Sequence, residues 1–128
     1  MPSVDLTLQP TVGTPYGRWQ PLNEPLRVAA FGINAIVCEP GEEFDVEHDH
    51  VEDDQEEAYV VVAGRAEFRI GEETIEAGPG VVVSAPVATV VRSYRAIEPG
   101  TRIVCVGAAP TPDDAAAGYG DWIADAAG

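Results

Sequence analysis

At 128 residues and 13.5 kDa the chain has the length of one domain, and a core of that size folds without a disulfide or a structural metal. Apolar residues make up 45% and charged residues 23%, which excludes a disordered chain, and no run approaches the ~20 apolar residues of a membrane span. Seven Arg, no Lys and 22 Asp plus Glu give a net charge of −15, a field that repels phosphate backbones and anionic lipid, so neither nucleic acid nor a membrane is an expected partner.

The opening MPSVDLTLQP lacks the basic and apolar regions of a signal peptide, which makes the cytoplasm the expected compartment. Residues 1–25 carry Pro at 2, 10, 15, 21 and 25 and are expected as an extended arm with little regular structure. From there to about residue 109, short β-like runs alternate with Gly and Pro punctuation: 26–30, 33–38, 43–50, 57–63, 65–70, 81–85, 89–96 and 101–107. Turn signals fall at Pro40-Gly41, Gly64, Gly71, Gly78-Pro79-Gly80 and Pro99-Gly100. Such spacing without helical periodicity predicts an all-β sandwich or barrel. The tail, 110–128, shifts to Ala, Asp and Gly, and Asp121 is placed to cap a short helix holding Trp122 and Ile123. Cys38 and Cys105, with no CxxC, are expected as small buried hydrophobes.

Residues 43–50 alternate strictly. Side chains alternate across a strand, so Phe44, Val46, His48 and His50 share one face while Glu43, Asp45, Glu47 and Asp49 share the other. The acidic face belongs outside, which turns both imidazoles of the chain inward. In 57–63, Glu57, Tyr59, Val61 and Ala63 share one side and Ala58, Val60 and Val62 the other; both sides are apolar enough that parity leaves the interior face open. Residues 65–70, taken as the hairpin partner, turn Ala66, Phe68 and Ile70 inward. Two inward imidazoles with a carboxylate from a neighbouring strand suit Fe, Mn, Zn, Ni or Cu as a divalent ion. The competing reading makes His48 and His50 core or rim histidines held by nearby carboxylates.

Pro40-Gly41, His48-Asp49-His50 and Glu57-Ala-Tyr-Val-Val-Val-Ala-Gly64 resemble the first motif of the cupin superfamily, which runs Gly, HxH, Glu, Gly. Counting back from Gly64 assigns Glu57, and the six residues 51–56 form an enlarged acidic loop; a shifted register there would select Asp54 or Glu56. Gly80 and Pro86 fit the second motif, but Ala88 stands for its second Gly, Val91 for its metal-binding His and Arg95 for its Asn. The resemblance implies a double-stranded β-helix, a jelly-roll barrel over 26–109 within a single domain, 1–128, and a homodimer. It also implies a metal site of His48, His50 and Glu57, with Tyr59, Phe44, Thr89, Val91 and Ser93 as pocket lining. Arg92 and Arg95 are expected as surface partners of the acidic exterior.

Other motifs fail on chemistry. A Ca²⁺ loop starting at Asp45 would need Gly where His50 stands, Gly78-Pro79-Gly80 opens no helix for a phosphate, and both His are claimed by one face, which leaves no base for a Ser nucleophile. Carboxylates are abundant, but no spacing singles out a glycosidase pair. Two functions remain: a metal-dependent oxygenase or isomerase acting on a small organic molecule, or a metal-poor protein of the same fold that binds a small ligand without turnover. A purely structural module is the third.

Overall fold

A computed structural model describes residues 1–14, 17–42, 55–86 and 91–109. The described residues form β1 (Val12–Thr14), β2 (Gly17–Pro21), α1 (Asn23–Leu26), β3 (Gly32–Cys38), β4 (Glu56–Ala63), β5 (Ala66–Ile70), β6 (Glu73–Ala77), β7 (Val82–Ala85), β8 (Arg92–Ala96) and β9 (Thr101–Ala108). The pairings among them are antiparallel. One sheet has six strands in the order β1-β2-β3-β9-β4-β7 and the other three, β6-β5-β8. They enclose one core, as expected of a jelly roll. The expected run 43–50 and the C-terminal helix lie outside the described residues.

Three expectations give way near the start of the chain and in the middle. The arm is not devoid of structure, because β1 and β2 extend the large sheet through pairings such as Trp19↔Ile36. Residues 26–30 form no strand: Pro25 suits the first turn of α1, and Arg27 stops the helix in the left-handed region at φ 57°. The Asn23 side chain then fastens the loop, donating to the Val28 and Phe31 carbonyls at 2.9 and 2.6 Å and accepting from the Ile33 N–H at 3.0 Å. Nor are β4 and β5 a hairpin. They separate at Gly64 into different sheets, and β5 takes β6 as its partner. The run ETIEA of β6 escapes a hydrophobicity reading because only Ile75 and Ala77, opposite Phe68 and Ala66, face the core.

Register resolves the ambiguous face of β4. Tyr59 and Val61 point inward with Cys105 and Ile103 of β9 and are fully buried, while Val60 and Val62 lie on the outer face of the large sheet beside Val82 and Val104. Both faces are apolar, but only one is enclosed. The outer face of the small sheet is charged instead, with Arg95 to Glu67 at 3.1 Å and an Arg65–Glu76 pair. Between the sheets the rings of Tyr59, Phe68 and Tyr94 meet at centroid distances of 5.4, 5.9 and 6.2 Å, tilted against one another as aromatic quadrupoles prefer.

Gly64, at φ +72°, makes the crossing between sheets; a Cβ there would lie 2.6 Å from the Thr101 Cα and collide with its Oγ1 as well. Gly64→Ala should therefore cost more than the about 1–2 kcal/mol of a left-handed residue. Phe68→Ala, which empties the middle of the core, should cost about 3–5 kcal/mol. Urea unfolding followed by circular dichroism checks both.

Candidate functional site at the mouth of the barrel

The interior is layered by strand register. At one end Glu57 of β4 lies between Gly107 of β9 and Ala85 of β7. Small residues on both sides give its side chain room, and a Cβ on Gly107 would come within 3.2 Å of the Glu57 Cγ. The next layer is Cys105, Tyr59 and Val83, and below it lie Ile103 and Val61. The facing sheet answers with Arg92 beside Ile70, then Tyr94 beside Phe68, then Ala96 beside Ala66. The aromatic layer fills the middle and leaves Glu57 and Arg92 together at one end.

There the Glu57 carboxylate is the hub. Its Oε1 accepts from the Tyr59 hydroxyl at 2.9 Å and from the Arg92 guanidinium at 2.9 Å, and its Oε2 accepts from the Cys105 thiol at 3.1 Å. The Arg92 side chain has no exposed surface and that of Glu57 is 10% exposed. A charge buried to this degree is tolerable only when paired and hydrogen-bonded, and here both conditions are met. Burial first, then the nearby negative groups, pushes the Tyr59 hydroxyl and the Cys105 thiol far above their ordinary values, so both keep their protons and serve as donors.

Of the expected site residues, Glu57 and Tyr59 meet inside the barrel; His48, His50, Phe44 and Thr89 lie outside the described residues. Val91 and Ser93 do not line the interior. Val91 precedes β8, is 45% exposed, and gives its carbonyl to the Gly71 N–H. Ser93, though buried, pairs with Arg69 and therefore shares the outer parity of the small sheet, whereas Tyr94 pairs with core Phe68. The inward positions of β8 are thus Arg92, Tyr94 and Ala96, one residue out of step with the sequence reading. Arg92 is accordingly no surface partner of the acidic exterior; Arg95 is, at 54% exposure against Glu67. The signal was present: an inward Glu57 needs a counter-charge, and Arg92 shares its parity with Tyr94 and Ala96.

The described donors fit a resident divalent metal poorly. Both Glu57 oxygens are already engaged, one of them by a fixed cation. A divalent ion drawn to that carboxylate would have to share it with the Arg92 guanidinium, a like charge that weakens its hold.

No protein-family model matches the sequence, and no curated protein matches it. Solved structures do. A sugar phosphate isomerase from a cupin superfamily, from Silicibacter pomeroyi, superposes with a TM-score of 0.68 at 22% identity over 87% of this chain and 77% of that one. KdgF from Halomonas sp. gives 0.61 at 18% identity over 78% and 86%. A structure from Acidithiobacillus ferrooxidans gives 0.58 at 22% identity over 73% of this chain, which spans 61% of that protein's length. These likenesses establish the fold. Among the described residues no helix is long and apolar enough to cross a membrane.

Burial also raises the Tyr94 hydroxyl, and it raises the Cys38 thiol from about 9 to about 12, with Glu42 and Glu39 adding to the Cys38 shift. A proton held more tightly in the folded state stabilises below the ordinary value and ceases to do so as pH rises toward the folded one. With no Lys in the chain few other groups titrate there. The thermal midpoint should fall steadily as pH rises from about 9 toward about 12, and less steeply in Cys38→Ala. A flat midpoint over that range would contradict the burial of these groups.

Proposed function

We propose that this chain, a small protein of the cupin fold, binds an uncharged polar molecule of sugar size at the barrel mouth above Tyr59 and promotes an isomerase-type proton transfer on it. The observation that carries this is the buried Glu57–Arg92–Tyr59–Cys105 cluster at one end of the interior. The Silicibacter pomeroyi neighbour, a sugar phosphate isomerase, supports the reaction type.

The phosphate does not carry over with it. A phosphoryl group calls for Arg or Lys, or for a helix N-terminus. All seven Arg are among the described residues, and Arg92, on the inward face of β8, is committed to Glu57. Arg18, Arg65, Arg69 and Arg95 pair with surface carboxylates. Arg27 ends α1, and Arg102 lies on the outer parity of β9. In a field of −15 an anionic substrate has little to draw it in. His48 and His50, which sequence alternation predicts to face inward, are the chain's only side chains that ordinarily titrate near neutral pH, and they are assigned the proton transfer.

A second reading holds a divalent ion, Fe, Mn, Zn, Ni or Cu, on His48, His50 and Glu57. It is favoured by the inward placement of Glu57 between Gly107 and Ala85. The two readings share this end of the barrel and differ in what occupies it.

The test is a panel of uncharged aldoses and ketoses beside their phosphates, offered to the full chain. An uncharged member should raise the thermal midpoint, by about 2.7 kcal/mol of stabilisation at one hundred times its Kd. In deuterated water the same member should exchange a carbon-bound proton, seen by NMR, and lose that exchange in a His48→Ala/His50→Ala protein. Preference for the phosphates, or exchange that survives the double substitution, overturns the proposal.

A further inference from the structure

We infer that Arg92 is the built-in cation of this site: its guanidinium holds Glu57 where a metal ion would otherwise be shared, so the chain in its native form does not retain a divalent metal. The inference rests on the reading of the barrel mouth as the functional site and deepens it by choosing between the two occupants.

Three observations converge on Arg92. Register places it, and not Val91, at the inward position of β8 that faces Glu57 across the barrel. Its side chain has no exposed surface and its NH1 lies 2.9 Å from the Glu57 Oε1, so it is a fixed part of the interior and not a mobile arm. The other Glu57 oxygen accepts from the Cys105 thiol at 3.1 Å, so a donor from the protein reaches each end of the carboxylate. A guanidinium stays protonated at every physiological pH and offers no lone pair, so it supplies the positive charge and cannot serve as a ligand.

The substitutions follow directly. Arg92→Gln removes the cation while keeping a hydrogen-bond donor for Glu57. Arg92→His goes further and offers an imidazole from the facing sheet; together with His48, His50 and Glu57 the introduced ring makes a donor set suited to Zn²⁺ or Ni²⁺. Untagged parent and variant proteins are dialysed against Zn²⁺ and then metal-free buffer, and bound metal is measured by elemental analysis. Affinity comes from calorimetric titration with Zn²⁺ alone.

The parent should retain less than one Zn²⁺ per chain by a wide margin. Arg92→His should retain close to one and bind on the order of 10- to 100-fold more tightly than the parent, with Arg92→Gln between them. Adding His48→Ala and His50→Ala to Arg92→His should abolish the gain. Stoichiometric zinc in the parent that disappears in His48→Ala/His50→Ala overturns the inference, and so does a folded Arg92→His protein with the parent's affinity. Should Arg92→His fail to fold, the parent's own metal content and Arg92→Gln decide the matter. Metal retention and sugar binding are separate measurements, so the reading of the substrate and the reading of Arg92 can fail independently.

Discussion

The ion pair between Glu57 and Arg92 is the constraint around which the interior is organised. It joins β4 of the six-stranded sheet to β8 of the three-stranded one, with one partner wholly buried and the other nearly so. Each charge left alone in that place would cost several kcal/mol in lost hydration, and removal of either partner strands the other at about 3–5 kcal/mol. The pair therefore acts as a condition on how the sheets stack: a slip of one residue in β8 would present Ser93 to Glu57 and send Arg92 to the outer face.

The rest of the core accommodates this pair by size. Gly107 and Ala85 flank Glu57, and larger neighbours would push its carboxylate toward Arg92 or out of the mouth. One layer down, Tyr59 does two jobs with one side chain. Its ring packs against Phe68 and Tyr94, and its hydroxyl reaches up to Glu57. At the opposite end Thr101, wholly buried, donates to the Glu98 carbonyl at 2.7 Å and accepts from the Arg65 N–H at 3.1 Å, closing the turn that Gly64 opens against it. Polar satisfaction at both ends brackets an apolar middle, which is how a small barrel can hold charged groups inside without losing cohesion.

The fold was largely legible because alternation is a strong signal where one face is charged. β5 reads directly, with Ala66, Phe68 and Ile70 in and Glu67 and Arg69 out, and β9 runs buried and half-buried in strict alternation. The signal fails where its premise fails. β4 is apolar on both faces, β6 is mostly polar with only Ile75 and Ala77 facing the core, and β1 and β2 hide among prolines that proved compatible with an edge. The site was half legible. The inward placement of Glu57 and Tyr59 was implied by the motif resemblance, whereas Arg92 was sent outward by the ordinary expectation that a guanidinium seeks water. That expectation is a statement about unpaired charge, and it reverses once a buried carboxylate stands opposite.

A guanidinium and a divalent ion are not interchangeable ways of placing positive charge beside a carboxylate. An ion binds only after its ligands lose their protons, so its presence varies with pH and supply. It also offers open positions to a substrate. A guanidinium is present whenever the chain is folded, is indifferent to pH across the range in which imidazole titrates, and directs its N–H groups in a fixed plane. What it gives up is the open coordination position. On the proposed reading, a barrel that neutralises its glutamate with Arg92 works on its ligand through hydrogen bonds and proton transfer instead of Lewis acidity. The substrate class proposed above meets that constraint, because its reacting atom needs a proton moved and not a metal to hold it.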